Sequence, residues 1–365
     1  MNILIIVDNL SIGGIQRLAL DQAYQLIDNG FSCSILVLGP PPLSDYPSFE
    51  NCEKELIARK KLSIKYLAGD RKMQTLKMFQ VLNDRLLDSI ICHSLRGGVI
   101  SFVLRPLTFS KYSISTTIHQ LPSFSSIIQR MKRMFYSQFT DHLFVFSLAA
   151  LNDWNFERDT NFFARLISMR KKPSLCRNGV YLPRLFLNKS RSLEIRSKNR
   201  LIYIGRLTSW KGINTFLEIV ESDLLIEFEI LLVVPTDPSE LLSKLSADTR
   251  KKISCIIGKS VNAIDFKKGD IHLYPVVNNS RFVESISINV LEMACLGVPS
   301  LITQNGSETW PELTELRFVR EVQWSNLKSI SHALRTIDTS FLLQNLEKVQ
   351  SLVDIRENLN TILVQ

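Results

Sequence analysis

The feature that most constrains the fold is a unit that occurs twice along the chain. It consists of a short apolar run, a polar loop carrying glycine, and a segment with helical spacing of apolar residues. The first copy runs from Ile3–Val7 through Asp8-Asn9-Leu10-Ser11-Ile12-Gly13-Gly14 to a segment with Leu18, Leu20, Ala23, Tyr24 and Ile27 near helical spacing. Asn29-Gly30 stops that helix, and Cys33–Leu38 reads as the next strand, ended by Gly39 and three prolines. The second copy has a strand at Leu201–Ile204, a loop at Gly205–Gly212, a helix at Ile213–Glu221 and a strand at Glu227–Val234. Strand, loop, helix and strand in that order form a βαβ unit, the seed of a parallel sheet. With 365 residues, two domains are the natural expectation. The spacing of the two copies predicts an α/β chain of two doubly wound, Rossmann-like domains.

The remaining pattern fits this plan. Further strands are expected at Ser89–Cys92, Ser113–Ile118, Leu143–Phe146, Ser254–Ile257, Ile271–Leu273 and Ser300–Thr303, and a helix at Ile288–Cys295. Residues 51–90 alternate basic helical segments with short apolar ones, and residues 123–139 form an expected basic amphipathic helix. The tract 178–199, rich in Lys, Arg and Ser, has little apolar periodicity and reads as a linker. The expected domains are therefore 1–177 and 200–345, followed by a C-terminal helix over 346–365 that returns to the first domain.

Composition narrows the partners. Residues 1–200 hold 28 Lys and Arg against 15 Asp and Glu, a net +13, whereas residues 201–365 hold 16 against 20, a net −4. A basic half beside an acidic half points to an anionic partner for the first, such as nucleic acid, an anionic membrane surface or a phosphorylated lipid acceptor; a solvated basic surface is the plain alternative. The six cysteines form no C-x-x-C pair, and no His/Cys cluster has zinc spacing. Reduced, buried thiols and a cytoplasmic setting are expected. The first residues read as a strand rather than a secretory leader. No apolar run approaches the ~18 residues of a membrane span, so contact with a membrane is expected to be peripheral, on its inner face.

Three elements carry candidate chemistry. Gly13-Gly14, after a strand and before a helix, lets backbone N–H groups approach an anion; a tight turn is the plain alternative. Arg206 and Lys211 flank the second loop at the carboxyl end of a strand, where ligands of open α/β sheets bind. A diphosphate needs two such cations, and the plain alternative is two solvated side chains. Glu284 and Glu292 lie eight residues apart across a loop-to-helix transition, or about 12 Å apart if the span is helical throughout. That suits two ends of an elongated ligand better than one hydrolysed bond, and the plain alternative is a helix-capping Glu and a solvated Glu. His93 and His119 each close a strand, where a satisfied structural histidine is the plain reading.

Taken in order, these elements resemble the retaining glycosyltransferases of GT-B fold in the large family 4 group. The resemblance rests on Gly13-Gly14-Ile15-Gln16-Arg17, Asn178-Gly179-Val180, Gly205-Arg206-Leu207 with Lys211-Gly212, and the E-x7-E motif Glu284–Glu292 continuing into Met293-Ala294-Cys295-Leu296-Gly297-Val298-Pro299. The matches run through most of the chain and are more specific in its second half. The resemblance implies two Rossmann-like domains facing a central cleft. It implies that Arg206, Lys211 and the Gly14 N–H hold a donor diphosphate, that Glu292 binds the ribose, and that Glu284 and His119 act at the transferred sugar. His93, at a similar strand end, ranks below His119. No Asp-x-Asp motif occurs, in agreement with a reaction that uses a nucleotide sugar as co-substrate and needs neither metal nor cofactor.

The chain departs from the family's pattern in three places. Ser285-Ile286-Ser287 stands where Gly-Phe-Gly is frequent, Val234-Pro235-Thr236-Asp237-Pro238 replaces a glycine-rich turn near the base, and Gln16 stands where Glu is common. The second of these leaves the base open. The expected activity is transfer of a sugar to a glycan or lipid-linked acceptor, as in bacterial polysaccharide or lipopolysaccharide synthesis. The rival readings are a sugar-nucleotide epimerase of the same fold, a catalytically degenerate binding module, and a nucleic-acid binder. No recognisable nucleic-acid motif supports the last, so nucleic acid is not an expected partner.

Overall fold

The computed structural model describes residues 1–42, 48–83, 86–108, 111–119, 134–148, 150–152, 154–155, 172–187, 195–222, 227–276, 286–304 and 307–363. The chain divides into two compact units, Met1–Tyr181 with Ile355–Gln365, and Leu182–Asp354.

The first unit is built on a seven-stranded sheet in the order β3-β2-β1-β4-β5-β6-β7. Its strands are β1 Asn2–Val7, β2 Ser32–Val37, β3 Ser63–Tyr66, β4 Ser89–Cys92, β5 Ser113–Ile118, β6 His142–Val145 and β7 Ser174–Leu175. Every pairing is parallel, from Asn2 opposite Ser32 to Val145 opposite Leu175. β1 is apolar on both faces because helices cover both: Ile3 to Val7 are all buried. Leu4, Ile6, Leu36, Ile90 and Ile114 form one side of the core with Met78 and Leu82 from the helix Arg71–Asn83. The helix Leu95–Leu104 lies so close to the sheet that a Cβ on Gly97 would meet Ile6 Cγ2 at 2.7 Å and one on Gly98 would meet Thr116 Oγ1 at 2.7 Å.

The second unit repeats the plan with six parallel strands in the order β10-β9-β8-β11-β12-β13. These are β8 Ile195–Ile204, β9 Glu229–Val234, β10 Ile253–Ile257, β11 Lys268–Tyr274, β12 Ser300–Thr303 and β13 Val319–Val322. Leu201, Tyr203, Ile230, Leu232, Leu273 and Leu301 pack against Ile213, Phe216 and Val220 of the helix Ile213–Glu221. In both sheets the order runs outward from the first strand of the unit, reverses, and continues on the other side. The reversal falls between β1 and β4 in one unit and between β8 and β11 in the other. Both are topological switch points, at whose carboxyl ends open α/β sheets bind ligands.

The expected two-domain α/β fold is observed, with local differences. β8 begins at Ile195, inside the tract read as linker, and the short helix Leu182–Leu185 also lies there. After Ile195 the residues of β8 are polar as far as Arg200 and give no apolar alternation. They pair with β11 across an irregularity at Lys268/Asp270, where the Arg200 guanidinium holds the Asp270 carboxylate at 3.0 and 2.7 Å. The expected single helix at 346–365 is two. Leu346–Leu352 stays with the second unit, where Gln350 Nε2 donates to the Cys295 carbonyl at 2.8 Å. Ile355–Leu363 joins the first, buried through Ile355, Asn358, Leu359 and Ile362. β3 lies within the stretch 51–90, where no strand was expected before Ser89; as an edge strand it buries none of its residues fully. Of the expected helix 123–139, residues 123–133 lie outside the described residues; Met134 is buried and Phe135 exposed. Cys33, Cys92, Cys176 and Cys295 are free and buried, whereas Cys255 is free but exposed.

Candidate functional site

In the second unit the loop after β8 is shaped by its glycines. Gly212 has φ +76°, and a Cβ there would lie 1.7 Å from the Pro275 carbonyl oxygen, so only glycine can connect the 3-10 turn Ser209–Lys211 to the helix beginning at Ile213. Tyr203, buried on β8, sends its hydroxyl back to donate to the Arg206 carbonyl at 2.8 Å and the Lys211 carbonyl at 3.3 Å. The loop is thus pinned to its own strand. Lys211 Nζ donates to the Tyr274 hydroxyl oxygen at 2.9 Å and sits 4.5 Å from the Trp210 ring centroid. Tyr274 ends β11, so the lysine stands at the switch point of the sheet. Arg206 is exposed, and among the described residues no partner engages its guanidinium. A fork donor and an ammonium on one rigid loop can bind a diphosphate.

The helix Ile288–Cys295 starts beside this loop, because Asn289 Nδ2 donates to the Ile204 carbonyl at 3.1 Å. Its first N–H groups add favourable potential for an anion. Glu292 lies one turn further on. It is 1% exposed, and its Oε1 is held at 2.6 Å by Nη2 of Arg184, itself 0% exposed. The sequence-expected ribose ligand is therefore engaged with a buried guanidinium. Glu284, expected at the transferred sugar, lies outside the described residues.

In the first unit, Gly14 opens the helix Gly14–Asp28 at the carboxyl end of β1 and is exposed, with nothing within 4 Å of where a Cβ would stand. Gln16 donates to Asn9 Oδ1 at 2.9 Å, so the glutamine closes the loop on itself. Arg17 turns away: it is ion-paired to Glu53 and stacked 4.0 Å from the Phe49 ring centroid, while Tyr24 Oη donates to Glu53 Oε2 at 2.9 Å.

His119 is half-buried at the end of β5, with its Nε2 3.0 Å from His93 Nδ1 and its ring 4.7 Å from that of Phe146. His93, at the end of β4, is buried, and its Nε2 lies 2.7 Å from Gln22 Oε1. Gln22 Nε2 donates to Asn358 Oδ1 at 2.8 Å, and Asn358 Nδ2 donates to the Arg177 carbonyl at 2.8 Å. Burial pushes the His93 imidazole down to about 3; burial and then the neighbouring His93 put His119 well below the usual histidine range. Both rings are neutral at physiological pH.

The first unit thus carries Gly14 and His119, and the second Arg206, Lys211 and Glu292. The sequence reading ranked His93 low and missed Gln22, Asn358, Arg184 and Tyr274. Tyr274 could have been found from its place at the end of an apolar strand. Among the described residues no helix is long and apolar enough to cross a membrane.

No protein-family model matches this chain, and no curated protein sequence matches it either. Solved structures do. HepE of Anabaena in complex with UDP-glucose is similar over 99% of this chain and 98% of its own, with a TM-score of 0.66 and 11% identity. The lipopolysaccharide outer core galactosyltransferase WaaB is similar over 100% and 99%, with a TM-score of 0.64 and 12% identity. An α-glucosyltransferase in complex with UDP and a 13-mer DNA is similar over 99% and 98%, with a TM-score of 0.67 and 14% identity. At such identities the likeness is one of fold, and the fold of this chain is the GT-B fold of those glycosyltransferases.

Proposed function

We propose that the chain is a retaining glycosyltransferase that moves a sugar from a nucleoside-diphosphate donor to a glycan or lipid-linked acceptor in the synthesis of a cell-surface polysaccharide or lipopolysaccharide. The observation that carries this reading is the pinned loop Gly205–Gly212, which supplies Arg206 and Lys211 at the switch point of a parallel sheet. The departing diphosphate gains negative charge as the anomeric bond breaks. Fixed cations and helix N-terminal N–H groups favour that charge without reorganising at the moment of reaction. Arg206, Lys211 and the Gly14 N–H take the diphosphate, Glu292 the ribose, and His119 and Glu284 the transferred sugar. For Glu292 to meet a ribose, it must share its carboxylate with Arg184. The reading invokes no metal and no cofactor. Uridine is the base to test first, since HepE and the α-glucosyltransferase were each solved with UDP or UDP-glucose.

The same reading includes contact with an anionic membrane surface from the cytoplasmic side, through the first unit. There an open groove of about 540 Å³ is lined by Leu76, Phe79, Leu104 and Leu107 together with Arg71, Lys72 and Thr75. Leu76 is 54% and Leu107 66% exposed. Apolar side chains beside cations suit the boundary between headgroups and acyl chains. Flotation with vesicles containing anionic lipid tests this: Leu76→Glu with Leu107→Glu should abolish binding, and unchanged flotation would remove this surface from the reading.

A panel of nucleotide sugars, UDP-sugars first, screened by thermal shift tests the central claim. A true donor raises the melting temperature by mass action, and the shift vanishes in Arg206→Ala/Lys211→Ala. Release of UDP should then require a glycan or lipid-linked acceptor. An isomerised sugar formed without acceptor would establish the epimerase instead, and sugar transfer to DNA would overturn the acceptor class. The absence of any shift with every nucleotide sugar would overturn the donor site.

A further inference from the structure

We propose that a relay of hydrogen bonds from the Arg177 carbonyl through Asn358, Gln22 and His93 sets the tautomer of His119, placing its proton on Nε2 and leaving Nδ1 as a hydrogen-bond acceptor. Its value for catalysis rests on the functional reading above, in which His119 meets the transferred sugar: a bare Nδ1 accepts from a sugar hydroxyl and repels a carbonyl or phosphoryl oxygen.

The direction of every bond follows from one fixed end. A backbone carbonyl only accepts, so the Asn358 amide atom 2.8 Å from the Arg177 oxygen is nitrogen. The same nitrogen faces Cys176 Sγ at 3.1 Å, consistent with a donor. Asn358 Oδ1 therefore points at Gln22 and needs a donor, which makes the Gln22 atom at 2.8 Å its Nε2. Gln22 Oε1 is then left facing His93 Nε2 at 2.7 Å, and that nitrogen must carry hydrogen. A neutral imidazole has one N–H, so His93 Nδ1 is an acceptor. The His119 Nε2 lying 3.0 Å away must donate to it. Neutral His119 has spent its only proton, and Nδ1 is bare. Each ring tautomer is set by the bond its other nitrogen makes.

The surroundings keep the relay neutral. Gln22 is 0%, Asn358 3% and His93 5% exposed. Among the described residues no carboxylate pairs with either histidine, and a buried imidazolium without a counter-ion is costly. The C-terminal helix Ile355–Leu363 returns to the first unit and supplies Asn358, the residue that reads the carbonyl. Asn358, Gln22 and His93 are thus positioning residues, acting through His119.

The full chain labelled with 15N-histidine tests this directly. Long-range 1H–15N correlation reports which ring nitrogen holds the proton, and with five histidines in the chain single substitutions assign the signals. Wild-type His119 should show a protonated Nε2 and a bare Nδ1; a protonated Nδ1 would overturn the proposal. Gln22→Glu places a carboxylate against His93 Nε2–H and favours its imidazolium. His93 Nδ1 then donates, His119 Nε2 accepts, and the His119 proton moves to Nδ1. This variant should lower kcat at least tenfold while changing the donor KM less than threefold. A flipped tautomer with an unchanged kcat would overturn the catalytic part. His93→Asn keeps an acceptor near the Nδ1 position and should retain several-fold more activity than His93→Leu; equal losses would count against a relay that acts through polarity. A wild-type tautomer as expected, in a chain that binds no sugar nucleotide, would uphold the relay and overturn the functional reading.

Discussion

Three glycines separate backbone strain from steric overlap and from ligand approach. In Gly212→Ala the new residue keeps a left-handed φ of +76°, which costs about 1–2 kcal/mol. Its Cβ falls 1.7 Å from the Pro275 carbonyl oxygen, so the two backbone segments must part by about 1.8 Å to reach an ordinary contact of ~3.5 Å. No rotamer relieves this, because the atom struck is main chain, and overpacking of this kind costs about 1–3 kcal/mol or more. The sum predicts a loss of about 2–5 kcal/mol, together with the Lys211–Tyr274 bond that the turn holds in place. Gly30→Ala is the control for strain alone: φ is +82° with nothing within 4 Å, so the loss should be about 1 kcal/mol. Gly14→Ala has neither a left-handed φ nor a neighbour, and should change stability by no more than about 0.5 kcal/mol while weakening donor binding. Urea unfolding followed by tryptophan fluorescence reads the difference, since Trp210, Trp310 and Trp324 all lie in the unit that contains Gly212. If Gly212→Ala loses no more than Gly30→Ala, the overlap argument is wrong.

Acid should destabilise both units. His93 and His272 are buried and neutral, each lowered by burial to about 3, so the unfolded chain takes up a proton near 6.5 where the folded chain does not. The stability each contributes is complete above pH 6.5 and is lost progressively towards pH 3, at about 1.4 kcal/mol per pH unit. Near pH 5 each should have withdrawn about 2 kcal/mol, and urea midpoints equal at pH 7 and pH 5 would contradict this. Arg184→Met strands Glu292 without its buried cation and should cost about 3–5 kcal/mol by urea unfolding, whereas Arg184→Met with Glu292→Leu should recover much of it; a larger loss in the pair would refute the ion-pair account. Tyr274→Phe removes the oxygen that Lys211 Nζ donates to and leaves the ring beneath the ammonium. It should cost about 1 kcal/mol of stability and raise the donor KM several-fold in steady-state kinetics, and an unchanged KM would detach Tyr274 from the donor site.

The fold was legible where apolar runs are continuous. β1, β4 and β9 are buried along most of their length, so they appear in the sequence as near-continuous hydrophobic stretches. What escaped lies at sheet edges and outer strand ends. β3 at one edge reads Ser-Ile-Lys-Tyr, β13 at another reads Val-Arg-Glu-Val, and the outer half of β8 is polar. Such segments are held by main-chain pairing to a neighbouring strand, which leaves little trace in their own composition. The C-terminal segment, expected as one helix, is two. Leu346–Leu352 and Ile355–Leu363 have similar helical periodicity, and only tertiary packing assigns them to different units.

The candidate site was legible at its tips and silent behind them. Arg206, Lys211, His119 and Glu292 are residue types that draw notice in a glycine loop, at a strand end or in a motif. Gln22 and Asn358 draw none, yet each interrupts an apolar stripe. Gln22 stands between Leu18 and Leu26 at i ± 4, and both leucines are buried. Asn358 shares its face with Ile355 and Ile362, which are buried as well. A polar side chain on the buried stripe of a helix must find a partner, because the unmet amide would cost a few kcal/mol. An amide pair can satisfy itself only by passing its polarity on to the next group. Two interrupted stripes in one chain therefore predict a buried polar connection before any coordinate is known. Here the connection leads to the two strand-end histidines, which alone would have been weighed as separate candidates.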